Sequence, residues 1–112
     1  MKIDVKKVKI HVFIPEEKVS ELRDAVCNAG AGIIGNYNYC TTSTRVSVTF
    51  KPNDDATPYV GTNNTLEFVE EIKLSFVCDV KNVKNILKII RNIHPYEEPA
   101  IDIIPLLEES CF

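Results

Sequence analysis

The sequence predicts an α+β domain, a four-stranded antiparallel sheet with two helices on one face. Three observations predict it. Four stretches carry the alternating or short apolar runs of half-buried strands. Two others repeat apolar residues at helical spacing. The six follow one another as strand, helix, strand, strand, helix, strand.

Lys7 to Ile14 is the first strand, with Val8, Ile10, Val12 and Ile14 on one side and Lys9, His11 and Phe13 on the other. Pro15-Glu16-Glu17 opens the first helix. Proline suits a first turn because its missing N–H would be unpaired there, and the glutamates complement the positive helix end. Val19, Leu22, Val26 and Ala29 form the buried stripe, and Gly30 stops the helix as a left-handed cap. Ala31 to Thr44 has no period and reads as an ordered loop holding a short strand at most. Arg45 to Phe50 alternates again, with Val46, Val48 and Phe50 on one side.

Lys51 to Thr65 is a long connection with Pro52, Pro58 and Gly61. Leu66, Phe68, Ile72, Leu74 and Phe76 share the parity of a long strand, which Glu70 interrupts, so a bulge or bend is expected there. Lys81 to Ile93 is the second helix, with Val83, Ile86, Leu87, Ile90 and Ile93 as its stripe and Asp79 or Asn82 as its cap. His94-Pro95 ends it, because the residue before proline is pushed out of the helical region. Ile101 to Ile104 is the last strand, closed by Pro105. This order is the split β-α-β pattern of ferredoxin-like domains. The connectivity brings Phe13–Glu17, Lys51–Thr65 and His94–Pro99 to one end and Gly32–Cys40 to the other. Phe13, Val69 and Val77 fall on the sheet face away from the helices, beside His11 and Lys73. A half-apolar open face points to coverage by other subunits.

At 112 residues the chain reads as a single domain, 1–112. A net charge of -3 argues against nucleic acid as a partner, and no run nears the roughly 20 apolar residues of a membrane span. The charged start, Met1 to Lys9, does not fit a signal peptide, so a cytoplasmic location is expected. Cys27, Cys40, Cys78 and Cys111 lack close zinc-type spacing and read as reduced thiols.

Several segments carry a family resemblance. Gly30-Ala31-Gly32-Ile33-Ile34-Gly35-Asn36-Tyr37, then Thr49-Phe50-Lys51-Pro52 and Pro58-Tyr59-Val60-Gly61, then Leu66 to Glu71, then His94-Pro95-Tyr96-Glu97-Glu98-Pro99-Ala100 stand in order over about nine-tenths of the chain. They are similar to the PII/CutA-like domain inserted in YqfO-type (NIF-three-like) proteins. The resemblance implies a ferredoxin-like fold, a stand-alone version of that insertion, and a homo-trimer. The metal ligands of the full-length family lie in flanking halves that this sequence does not contain. Asn63 and Asn64 stand where the family is often glycine-rich, and Asp54 and Asp55 make the same hairpin acidic.

The candidate ligand-binding residues are Tyr59, His94, Tyr96, Glu97 and Glu98. His94 with Glu97 is also the candidate set for a divalent metal ion, since imidazole and carboxylate oxygens suit one. The competing reading of His94 is structural, a histidine at the negative end of a helix. No catalytic residues are assigned, because the sequence shows no nucleophile–base pair and no cofactor fingerprint. The expected function is a non-catalytic oligomeric module that binds a small ligand or a partner protein. A CutA-like divalent-metal binder is the alternative, and a small hydrolase a remote third.

Overall fold

The computed structural model describes residues 3–112. Its elements are β1 (Lys7–Ile14), α1 (Val19–Asn28), β2 (Thr41–Phe50), β3 (Glu67–Asp79), α2 (Val83–Ile93) and β4 (Ala100–Leu106). Short 3-10 turns lead into both helices, and a third lies at Glu109–Cys111. The sheet order is β2-β3-β1-β4, and every neighbouring pair is antiparallel. This is the ferredoxin-like arrangement that the element order predicts.

Alternation along β1 decides the layering. Val8, Ile10, Val12 and Ile14 are buried, and they pair across to Cys78, Phe76, Leu74 and Ile72 of β3. Directly paired residues share a face, so these eight side chains make one floor. Leu22 and Val26 of α1 and Ile86 and Ile90 of α2 close over it with no exposure. Each such aliphatic side chain contributes about 1.5–3 kcal/mol by leaving water.

The cap geometry corrects one expectation. Neither Asp79 nor Asn82 makes a side-chain cap bond at the start of α2. Asn82 instead donates through Nδ2 to the carbonyl of Ala29 at 2.9 Å, satisfying an orphan acceptor at the C-terminus of α1. Gly30 then takes φ +99° as the helix stop. The chain returns to the sheet at Gly32, whose N–H bonds the Val77 carbonyl at 2.9 Å.

Three further expectations need correction. The bulge near Glu70 is absent. Pairing runs unbroken from Thr41↔Phe76 to Phe50↔Glu67, and Glu70 sits opposite Ser47. Glu70 breaks the hydrophobic parity because β3 has there run past the helices, so its helix-side residues, Glu70 and Phe68, face solvent. Likewise β2 begins at Thr41 rather than Arg45. Its helix-side residues, Ser43, Arg45, Ser47 and Thr49, are polar and hide the strand from a periodicity search. Pro105 lies within β4 instead of ending it, which an edge strand tolerates.

The overhanging β2–β3 ribbon lengthens the molecule to 48 × 33 × 23 Å. The radius of gyration is 15.7 Å, against about 13 Å for a compact domain of this length. Val46, Val48 and Phe50 point to the face opposite the helices, together with Val69, Glu71 and Phe13.

Candidate functional site

The loops from three places meet where the connectivity predicts. The β2–β3 connection, residues 51–66, folds back over the open face near the end of β1. It is ordered by its own side chains. Asn53 Oδ1 accepts from the Asp55 N–H at 3.0 Å, and Asn63 Nδ2 donates to the Ala56 carbonyl at 3.1 Å. Asn64 Nδ2 donates to Asp54 Oδ1 at 2.5 Å, and its N–H to the Pro52 carbonyl at 2.6 Å. The side chains of Asn53, Asp54, Asn63 and Asn64 therefore hold the loop's shape. Gly61, at φ +99°, lets the returning chain pass Glu67, whose Cγ would lie 2.7 Å from a Cβ there.

The turn after α2 meets this loop. The Thr57 N–H donates to Glu97 Oε2 at 3.0 Å, and the Tyr59 and Tyr96 rings lie 6.0 Å apart at 45°. The two segments and the sheet line an open cavity of about 550 Å³. Phe13, Val48, Phe50, Pro58, Tyr59 and Tyr96 supply its apolar walls, and Lys51, Glu71, Glu97 and Glu98 its charges.

His94 does not line this cavity. Its ring is buried, with Nε2 2.6 Å from the Phe13 carbonyl and Nδ1 accepting the Tyr96 N–H at 3.2 Å. A carbonyl only accepts, so Nε2 carries the proton and the ring is neutral. Burial holds its pKa below the ordinary 6.5, against weaker opposing effects of the Phe13 bond and the Glu71 charge. Both nitrogens are thus engaged, and no lone pair is left for a metal in this arrangement. Among the described residues no group of three or more His, Cys, Asp or Glu side chains is placed to hold a metal ion. Glu97, the other candidate ligand, turns one oxygen to Thr57.

The structure thus brings Tyr59, Tyr96, Glu97 and Glu98 together around one cavity and sets His94 behind it as the post that fixes the turn. It also adds Glu71, which sequence reasoning missed as a site residue. Glu71 stands on the open face of β3 opposite Val46, with only 5% of its surface exposed, and it lines the cavity. Both residues line the cavity, and the Tyr96 phenol is pushed above its ordinary 10 by burial first and then by the neighbouring Glu71 carboxylate. The available signal was parity, since residue 71 falls on the same face as Val69 and Lys73. His11, on the same face, bonds Ser75 Oγ through Nδ1 at 2.6 Å and takes no part in the cavity.

No protein-family model matches the chain. Curated relatives do. The chain is 41% identical over 102 residues to a protein of Halalkalibacterium halodurans named GTP cyclohydrolase 1 type 2 homolog, covering 91% of this chain and 27% of that one. It is 40% identical over 98 residues to the Bacillus subtilis protein of the same name, covering 88% and 26%. The chain therefore spans about a quarter of the length of the curated relatives it matches. Among solved structures, the Bacillus cereus protein related to NIF3 superposes with a TM-score of 0.82 at 34% identity, over 96% of this chain and 27% of that one. CutA1 of Shewanella sp. SIB1 superposes with a TM-score of 0.72 at 15% identity, over 95% and 86%, which shows the fold alone. Over the segment it matches, this chain is a relative of the YqfO-type, NIF3-related proteins, built on the ferredoxin-like fold of the CutA proteins.

Proposed function

We propose that this chain is a non-catalytic, oligomeric small-ligand-binding module of the PII/CutA-like kind, with the cavity over the open sheet face as its ligand site. One observation carries the reading. An apolar cavity of about 550 Å³ converges on a few polar groups, chiefly Glu71, Tyr96 and Lys51, and that is the ordinary form of a small-molecule site. The self-bonded connection supports it, because a loop tied down by its own side chains offers a preformed wall. The activity in the relatives' name is not carried over, since the match is to about a quarter of those proteins. The open face beyond the cavity, with Val77, Ile104 and Leu106, is the surface we assign to contact between copies, with a trimer as the expected number.

The test is a binding screen by amide chemical shifts with nucleotides and small metabolites. A compound that moves Tyr59 and Tyr96 and raises the melting temperature is the expected result. A panel that leaves those residues unmoved overturns the site. Turnover of the same panel by the pure protein would overturn the non-catalytic part.

A metal-binding role has one support, the name "divalent cation tolerance protein" borne by the Archaeoglobus fulgidus CutA structure, which shares 13% identity with this chain. To serve as a ligand, His94 would have to release the Tyr96 N–H. Titration of the wild type and His94→Ala with zinc is expected to show no difference attributable to the imidazole. A wild-type site that His94→Ala abolishes would favour the metal reading instead.

A further inference from the structure

We propose that the cavity selects a small organic cation, a protonated amine or amidinium on an apolar or aromatic body, with Glu71 as its counter-charge. This rests on the cavity being the ligand site and adds the chemical class of the ligand.

Charge and burial carry the argument. Three carboxylates, Glu71, Glu97 and Glu98, face the cavity against one ammonium, Lys51. The carboxylates differ in kind. Glu97 and Glu98 are exposed, and Glu97 is turned to the Thr57 N–H. Glu71 is 95% withdrawn from water, by its 5% exposure, and forms none of the ion pairs among the described residues. A carboxylate offers about four acceptor positions. The Tyr96 phenol is the neighbour on which its charge acts. A carboxylate withdrawn from water beside apolar walls, with no basic side chain paired to it among the described residues, is stabilised by a donor that reaches it from the cavity. Glu71 lines the cavity, so an occupant of that space can reach it.

The walls fit the same occupant. Phe13, Phe50, Tyr59 and Tyr96 surround the space, and aromatic faces attract a cation while stacking on a flat apolar body. An anionic ligand would face three like charges, with Lys51 alone to offset them. Nucleoside phosphates are therefore disfavoured as a class, and a cationic headgroup on a ring or short aliphatic chain is favoured.

The experiment uses benzamidine and its uncharged near-isostere benzamide. Both are titrated into the ¹⁵N-labelled protein at fixed ionic strength. Benzamidine should move the Tyr59, Glu71 and Tyr96 amides and bind about ten-fold or more tightly than benzamide. Glu71→Gln should remove that difference, while Glu70→Gln, on the opposite face, should keep it. Should Glu71→Gln fail to fold, the comparison of the two probes on the wild type still decides. Equal binding of benzamidine and benzamide, or benzamidine shifts confined to residues outside the cavity, overturns the cation class. If a neutral or anionic compound moves Tyr59 and Tyr96 while benzamidine does not, the ligand site stands and the class fails. If no compound moves them, both fail. Cavity amides that shift with protein concentration alone would show a second copy as the occupant, which also overturns the proposal.

Discussion

At the scale of single residues, His94 shows how a motif residue with the chemistry of a ligand can be structural. Its Nε2–H donates to Phe13 and its Nδ1 accepts from Tyr96, so one ring joins the end of β1 to the turn after α2. The bonded form is the neutral one, and burial lowers the folded-state pKa below 6.5. The unfolded chain therefore binds the proton more readily. Stability from this group is fully present above about pH 6.5 and falls as the pH drops through the window between the unfolded and the lower folded value. Glu71 is the charged group that faces the ring, and its carboxylate opposes the shift without reversing it. Urea titrations between pH 7.5 and 5 should show the midpoint falling on acidification in the wild type, and less steeply in His94→Gln. Identical slopes for the two proteins would show that His94 does not titrate in this way. The structural role of His94 was legible in the sequence as a helix-ending residue. Its two bonds were not, because Phe13 is 81 residues away and no local pattern records that neighbour.

Single elements divide between those that the helices cover and those that overhang. Ile90 of α2 has no exposed surface, whereas Phe68 of β3, of the same parity as the core residues of its strand, is 75% exposed. Ile90→Ala should cost about 2–5 kcal/mol through lost transfer and a residual cavity. Phe68→Ala should cost no more than about 0.5 kcal/mol. Chemical denaturation of both variants checks the division, and a large loss for Phe68→Ala would mean that the ribbon packs against something in solution. The connection makes its own test. Gly61→Ala must hold a Cβ at φ +99° and 2.7 Å from Glu67 Cγ, so the loop should yield locally. We expect a loss of about 1 kcal/mol or more and, where a ligand fills the cavity, weaker binding with the core unchanged by amide exchange. The buried stripes of β1, α1 and α2 were legible because one face of each is wholly apolar. β2 was legible only in its second half. Its first residues, Thr41 to Thr44, owe their strand state to pairing with β3, and pairing leaves no periodic trace.

For the whole molecule, connectivity was enough to bring three loops to one end, and the cavity stands there. Its depth was not readable, since it depends on how the asparagine and aspartate side chains fold the connection back onto the sheet. Connectivity also leaves one face without helices. That face is mixed: Glu71 and Ser75 are buried, while Ile104, on the same face at the outer strand, keeps 42% of its surface exposed. Beside it lie Lys9 on β1, and Leu106 further along β4. An aliphatic cluster at the edge of an open sheet costs free energy in water and is relieved by a second copy. A charge there would have to be buried unpaired in any such contact. Light scattering after size exclusion should therefore give a mass that is a multiple of the 12.6 kDa chain for the wild type. Ile104→Lys should shift that mass towards a single chain while leaving the core-dependent denaturation midpoint of the monomer intact. A wild-type mass of one chain at every concentration would mean that solvent alone covers the open face, and the cavity would then have to bind its ligand within one protomer.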